Sequence, residues 1–122
     1  MSQRILRVLD ASALIAFFQA HPKMTDLLDD AESGRLGLIV PVAAMAVAQA
    51  EIDHTSDGWS ALLLCPGVDT IGMGQQCAID VGAWPGDLST RHTVYEAHAL
   101  NAVIVTRDPG LYKGYEVRLL VF

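Results

Sequence analysis

The sequence predicts an α/β fold with three layers, in which helices cover both faces of a central parallel sheet. Short apolar segments of strand length alternate along the chain with longer segments whose apolar residues recur at helical spacing. This alternation is typical of parallel sheets, because each parallel strand is reached through a crossover helix. Acidic residues also follow two of the predicted strands, and ligands of such sheets bind beyond the carboxyl ends of the strands.

The first half of the chain is predicted to form two strands and three helices. Pro22 favours the first turn of the second helix, and Gly34 favours its end. The segment after Pro41 is rich in alanine, the residue with the highest helix propensity, so it is predicted to be helical. The predicted elements are a strand that ends at Asp10, a helix at 11–20, a helix from Pro22 to Gly34, a strand at 36–40 and a helix at 42–52.

The second half of the chain continues the alternation after a polar break at 53–58. Asn101 stands where a helix often ends, because asparagine adopts the left-handed conformation of a helix C-terminus more readily than most residues. The predicted elements are a short helix or turn at 59–64, a strand at 67–73, helices at 74–84 and 88–100, and strands at 102–105 and 116–122.

Length and composition favour a single domain over residues 1–122. The hydrophobic fraction of 52% is ample for one buried core. No apolar run is long enough to cross a bilayer, and the N-terminal segment reaches a charge too soon for a signal peptide. We therefore expect no membrane association and a cytoplasmic location.

The charge of the chain limits the kinds of partner that it can bind. The formal net charge is -6, from 8 Lys plus Arg against 14 Asp plus Glu. Nucleic-acid binders usually carry a basic face, so this balance argues against tight, non-specific binding to a long duplex. It remains compatible with an enzyme that holds a phosphate through metal ions, because the ions supply positive charge. It also suits a basic protein partner.

The two cysteines, Cys65 and Cys77, are expected to be reduced thiols in the core. They could pair, but a cytosolic location disfavours a disulfide. The chain has no CxxC pair and no local Cys/His spacing of the kind that binds zinc.

Asp10 and Asp108 are the acidic residues that follow predicted strands. Two carboxylates at the carboxyl edge of one sheet can bind a hard divalent ion, because Mg²⁺ prefers oxygen ligands and keeps several waters. Such an ion lowers the pKa of a bound water and stabilises charge on a phosphate under attack. The two positions therefore predict a metal site at this edge.

Two segments resemble a known family. "VLDASALIAFF" at 8–18 and "AVIVTRDPGLY" at 102–112 are similar to the opening and closing motifs of PIN domains, which include the VapC-type toxins of bacterial toxin–antitoxin pairs. The resemblance covers nearly the whole chain in length and element order. It implies a parallel sheet and cleavage of RNA with Mg²⁺ or Mn²⁺ held at four acidic positions. Asp10 matches the first acid and Asp108 the last, with Ser12 and Thr106 as the supporting hydroxyl groups.

The two middle acids of the family pattern are displaced or absent. The second acid is usually a Glu in the helix after the second strand, where this chain has Val47; Glu51 lies one helical turn later on the same face. The third acid usually stands about eighteen positions before the last, where this chain has Thr90; Asp87 lies three positions earlier. Glu51 and Asp87 are thus displaced candidates for the metal site.

Each acidic candidate also has a structural interpretation. Asp10 and Asp87 precede predicted helices, where Asp is a favoured N-cap. Asp108 stands in a turn sequence, in which Asp is common. Glu51 is most simply a solvated helix residue.

Basic and histidine side chains near the predicted site add further candidates. Arg107 would lie close to bound RNA, where it clamps a phosphate or balances the local acids. His92, near the start of its helix, is a candidate to contact a substrate phosphate. His92 and Glu96 are four residues apart and are expected to pair on the helix surface, whereas His98 points to another face.

These observations favour an endoribonuclease dependent on Mg²⁺ or Mn²⁺. Asp10 and Asp108, with Glu51 or Asp87, would hold the metal. The resemblance implies the toxin of a toxin–antitoxin pair, with an RNA substrate, a basic antitoxin and a homodimeric state. The alternative is a degenerate PIN domain that binds protein or RNA without turnover. A response-regulator-like domain is disfavoured, because its paired acid and its lysine are not found at the required places.

Overall fold

The computed structural model describes residues 5–53 and 56–122 and contains a five-stranded, wholly parallel sheet in the order β3-β2-β1-β4-β5. The central strand, β1, aligns Val8 with Ile39 on one side and with Ile104 on the other. The predicted parallel sheet is confirmed, and each predicted strand is present. The strands are β1 (Ile5–Leu9), β2 (Leu36–Pro41), β3 (Val68–Ile71), β4 (Val103–Thr106) and β5 (Leu119–Val121).

Six α-helices of the described residues connect these strands, with a 3₁₀ turn at Pro109–Tyr112. The segment at 59–64, for which helix and turn were both open, belongs to a helix that begins earlier, at Ser56. His54 and Thr55, in the predicted polar break, lie outside the described residues. The helices are α1 (Ala11–Phe18), α2 (Pro22–Glu32), α3 (Val42–Ile52), α4 (Ser56–Leu63), α5 (Gln75–Val81) and α6 (Leu88–Leu100).

Alternation along the central strands divides the core between the two faces of the sheet. Leu9 and Val105 pack with α1, α2, α3 and α4 on one face, whereas Val8 and Ile104 pack with α6 on the other. Successive side chains of a strand point to opposite faces, so adjacent residues of β1 and β4 serve different layers. The three-layer α/β/α architecture predicted from the sequence is therefore confirmed.

Local sequence explains where the helices that frame the carboxyl edge begin and end. Asp10 and Asp87 are the N-cap residues of α1 and α6, and the side chain of each accepts a hydrogen bond from the backbone N–H of the third residue of its helix. Asn101 ends α6 with a φ of 50°, the left-handed conformation that its position predicted. Both N-cap residues lie at the carboxyl edge of the sheet, which brings their carboxylates to one end of the fold.

Candidate functional site

Asp10 is the centre of the candidate site, directly after the central strand β1. Its side chain is only 3% exposed. Oδ1 accepts hydrogen bonds from the Ser12 hydroxyl at 2.7 Å and from the Ala13 backbone N–H at 3.0 Å. Oδ2 accepts a hydrogen bond from the Tyr112 hydroxyl at 2.7 Å. A buried carboxylate is tolerated only when such donors replace its hydration, and here three donors do so.

Hydroxyl groups connect the end of β1 to the end of β4. Ser12 Oγ accepts a hydrogen bond from the Arg107 backbone N–H at 2.9 Å and lies 3.3 Å from the Thr106 hydroxyl. Because Ser12 donates its single hydroxyl hydrogen to Asp10, Thr106 is the donor to Ser12. Thr106 in turn accepts from the Asp108 backbone N–H at 2.9 Å. Ser12 and Thr106 therefore support Asp10 directly or through one hydroxyl.

Tyr112 is the residue of this site that the sequence did not indicate. It lies in the 3₁₀ turn after β4 and is 3% exposed. Burial raises the pKa of the Tyr112 phenol far above its usual range, and the charges of Asp10, Asp87 and Asp108 raise it further. The phenol is therefore a permanent hydrogen-bond donor. Asp10 is the carboxylate that contacts the phenol directly, through the hydrogen bond of 2.7 Å.

A small cavity of about 60 Å³ opens beside Asp10. Asp87 lies at the same cavity, so the structure brings two of the predicted acids together. Val47 and Thr90, which stand where the family pattern has its middle acids, also line it. The cavity is lined by Asp10, Ala11, Val47, Asp87, Ser89, Thr90, Leu111 and Tyr112. The lining therefore combines two carboxylates with neutral side chains.

The other predicted acids differ in how they relate to this cavity. Asp87 is exposed and uses Oδ1 to accept the Thr90 backbone N–H at 2.8 Å, which leaves Oδ2 free of that bond. Asp108 is exposed at the start of the 3₁₀ turn, near Tyr112 but outside the cavity lining. Glu51 is exposed on α3 and does not line the cavity, although Val47 one turn earlier does. Glu51 fits the interpretation of a solvated helix residue.

Arg107 and His92 lie away from the cavity. The Arg107 guanidinium contacts Gln19 Oε1 at 3.4 Å and stands 5.7 Å from the centre of the Phe122 ring. The Arg107 side chain is exposed, and its backbone N–H donates to Ser12 Oγ, which places the residue next to the hydroxyl network. His92 is fully buried, and its ring faces Glu96 inside the protein rather than on the helix surface as expected. A phosphate at the edge of the sheet cannot reach a ring in this position.

The two cysteines are free thiols, as predicted. No helix within 5–53 or 56–122 has both the length and the apolar character to cross a membrane.

Comparison with solved structures identifies the fold. The chain matches a chain of VapBC2 from Rickettsia felis, solved bound to a DNA fragment from its promoter, with a TM-score of 0.74 and 12% sequence identity. The match covers 97% of this chain and 99% of the other. The fold is PIN-like. No protein-family model matches the sequence, and no curated protein matches it. At 12% identity, this similarity shows the fold alone. The chemistry of the site depends on the residues of this chain.

Proposed function

We propose that this chain is a PIN-type endoribonuclease, dependent on Mg²⁺ or Mn²⁺, and the toxin of a toxin–antitoxin pair. The observation that carries the proposal is the position of Asp10 and Asp87 at one cavity beyond the carboxyl end of the central strand. This is the place where α/β folds of parallel strands bind their ligands. Asp108 begins the 3₁₀ turn that carries Tyr112, and its backbone N–H bonds to Thr106 of the same hydroxyl network.

The donors at the cavity fit a hard divalent ion. Mg²⁺ is often held by one or two carboxylates, with waters completing its coordination. Asp10 and Asp87 supply the carboxylates, and the Ser89 and Thr90 side chains supply hydroxyl oxygens on the same lining. When bound, such an ion would activate water and neutralise charge on a phosphodiester.

Different residues have different roles in the proposed hydrolysis. Tyr112 and Ser12 hold the Asp10 carboxylate in one orientation, since each donates to a different oxygen. In the reaction, a water oxygen forms a bond to phosphorus while the phosphorus bond to the leaving oxygen of the RNA breaks. Arg107, exposed beside the network, is available to pair with a backbone phosphate of the RNA. Asp108 adds negative charge that strengthens cation binding.

An apolar rim around the cavity supports the proposed protein partner. Val47 is 44% exposed, Leu88 52% and Leu111 41%. Val47 and Leu111 line the cavity, and Leu88 follows Asp87. A basic antitoxin segment with apolar side chains would cover this rim and pair with the acids at its centre. A homodimer remains a further part of the proposal, which sedimentation of the purified protein tests.

The first experiment combines metal titration with RNA cleavage. We expect wild-type protein to bind Mn²⁺ saturably and to cleave RNA only with Mn²⁺ or Mg²⁺. Asp10→Asn and Asp87→Asn should each weaken binding and lower cleavage at least tenfold. Asp26→Asn, which removes an exposed carboxylate of α2, is the charge-matched control and should behave as wild type. Cleavage that survives Asp10→Asn would show that a contaminating nuclease or another site is responsible.

A binding module without turnover is the second candidate. It is favoured because hydrogen bonds from the protein already reach both oxygens of the Asp10 carboxylate. The Tyr112 hydroxyl already satisfies Oδ2, and Val47 and Thr90 provide no carboxylate at the cavity. Val47→Glu with Thr90→Asp restores acids at those two positions. Metal binding that appears only in this double variant would favour the module for the natural chain, whereas binding in wild type favours the nuclease.

A further inference from the structure

Three buried side chains form a polar cluster between α5 and α6, on the face of the sheet that α6 covers. They are Cys77 from α5 and the pair His92 and Glu96 from α6, with exposed fractions of 4%, 0% and 5%. One donor atom from each lies within 4.8 Å of the other two. We name this group the Cys77–His92–Glu96 cluster. It does not share a residue with the cavity beside Asp10.

The His92 ring is the anomaly of the cluster. Neither ring nitrogen has a hydrogen-bond partner among the described residues, although both are buried. His92 Nε2 and Glu96 Oε1 are 3.7 Å apart, too far for a hydrogen bond. The Gly72 backbone is near enough to favour the protonated ring but does not bond to it in hydrogen-bonding geometry. Buried polar atoms are nearly always paired, so two orphaned nitrogens in one ring need a reason.

The neighbouring side chains do not supply that partner. The ring is fully buried, which disfavours a charge on it, and neither Cys77 nor Glu96 makes a hydrogen bond to either ring nitrogen. A neutral imidazole then retains a lone pair that no neighbour uses. The lone pair of an imidazole nitrogen is the usual ligand for a borderline transition metal.

The spacing and donor types match such an ion. Two ligands about 2.1 Å from a tetrahedral ion are roughly 3.4 Å apart, so the His92–Glu96 separation is already close to that of two ligands of one metal. The i, i+4 arrangement places both on one helical face, as in helical zinc sites. A thiolate as third ligand selects a thiophilic metal over Mg²⁺.

We propose that Cys77, His92 and Glu96 bind a transition-metal ion of the Zn²⁺ class. Binding would displace the protons of the Cys77 thiol and the Glu96 carboxyl, and a water would complete a four-coordinate ion. Because the ligands come from two helices, the ion would fasten α5 to α6. The N-terminus of α6 carries Asp87 and Thr90 at the cavity, so the ion would also fix the helix that presents them.

Cobalt provides a direct test, because Co²⁺ bound by a thiolate shows a sulfur-to-metal charge-transfer band and intense visible bands when tetrahedral. We expect wild-type protein, after removal of any affinity tag, to give both spectral features at one equivalent of Co²⁺ and to lose them when Zn²⁺ is added. Cys77→Ala should abolish the charge-transfer band, and His92→Gln should weaken Co²⁺ binding at least tenfold. Cys65→Ala and His98→Gln are the matched controls, because Cys65 lies against α2 and His98 is exposed.

A second measurement needs no variant and so remains decisive even if a substitution prevents folding. Alkylation followed by mass spectrometry reports the labelling of Cys77 with Cys65 as internal reference. We expect Zn²⁺ to slow alkylation of Cys77 at least tenfold and that of Cys65 hardly at all, and EDTA to reverse the effect. Co²⁺ spectra without a thiolate band, equal labelling of Cys77 with and without Zn²⁺, or Co²⁺ binding that is lost in Asp10→Asn but kept in Cys77→Ala would overturn the proposal.

Discussion

The carboxyl-edge network around Asp10 and the Cys77–His92–Glu96 cluster are both buried and polar, but they differ in how far their polar atoms are hydrogen-bonded. Asp10 has three donors within 3.0 Å, whereas His92 has none among the described residues. A satisfied buried network gives rigidity and a unique arrangement, and an unsatisfied buried group destabilises the fold unless a ligand completes it. The two places therefore differ in what a bound ion would add: at Asp10 it would join a carboxylate that is already held in one orientation, and at His92 it would provide the partner that the ring lacks.

The largest effect on stability is expected when Asp10, the acceptor at the centre of the hydrogen-bonded network, is removed. Asp10→Ala removes the N-cap of α1 and leaves the buried Tyr112 hydroxyl without its acceptor. We expect the free energy of unfolding to fall by about 3 kcal/mol, from loss of a cap and of hydrogen bonds to a charged group. Urea denaturation followed by circular dichroism measures this loss. Asp26→Ala, at an exposed position, should change it by less than about 0.5 kcal/mol.

A smaller effect is expected when the network loses one donor. Tyr112→Phe keeps the ring in the core and removes only the hydroxyl that donates to Asp10. We expect a loss of about 2 kcal/mol, because the donor serves a buried carboxylate. Tyr115→Phe is the matched control, since the Tyr115 hydroxyl donates to the Pro85 carbonyl at a more exposed site. Equal losses in the two variants would contradict a special role for the Asp10 network.

Asp87 should contribute less to stability than Asp10, because it is exposed and makes a single cap hydrogen bond. We expect Asp87→Ala to lower the free energy of unfolding by about 1 kcal/mol and Asp87→Ser, which keeps a cap acceptor, to restore most of it. If Asp87 also binds metal as proposed, Asp87→Ser should recover stability without recovering Mn²⁺ affinity. Recovery of both would assign Asp87 a capping role alone.

In the metal-free protein, His92 and Glu96 of the Cys77–His92–Glu96 cluster should make the free energy of unfolding depend on pH. Burial lowers the pKa of His92, so between pH 7 and pH 5 the unfolded chain takes up a proton there that the folded chain refuses. Stability from this residue is present above its unfolded pKa and is lost as pH falls. Glu96, whose pKa burial raises, acts in the opposite sense and loses its contribution as pH rises above its unfolded value.

Urea denaturation at several pH values in the presence of a chelator tests that expectation. We expect His92→Leu to show a smaller fall in stability between pH 7 and pH 5 than wild type does. His98→Leu, at an exposed position of the same helix, should keep the wild-type slope. An unchanged slope in His92→Leu would show that the buried ring does not control the acid response.

The sequence predicted the parts of the fold that depend on local pattern. The strands, the Asn101 helix end and the position of Asp10 after the central strand follow from apolar runs and cap chemistry over a few residues. The parallel sheet followed from the alternation of strands and helices, and the family resemblance added the expectation of a PIN-like fold. Val47 and Thr90, which the resemblance placed at its middle acidic positions, both line the cavity, and their assignment to those positions stays a prediction.

The missed features depend on contacts between distant segments. Tyr112 reaches Asp10 across 102 positions, and no local pattern distinguishes its ring from an ordinary core aromatic. Cys77 lies near His92 only because α5 packs on α6. The sequence has no local zinc spacing, so no local pattern indicated the cluster. The i, i+4 pair of His92 and Glu96 was the one available signal, and its interpretation as a surface pair was wrong because that face of α6 is buried.

The position of β1 between β2 and β4 has a consequence for the order of folding. Only α1 and α2 separate β1 from β2, but the pairing of β1 with β4 and the bond from Tyr112 to Asp10 must close a loop of about a hundred residues. Long-range closure comes late, because its entropic cost is met only after local structure has formed. An intermediate that contains β1, β2 and the helices between them would carry an Asp10 still open to water. The site is therefore a late product of folding, and amide exchange at Asp10, whose backbone N–H bonds to the Val105 carbonyl, should report on the pairing of β1 with β4.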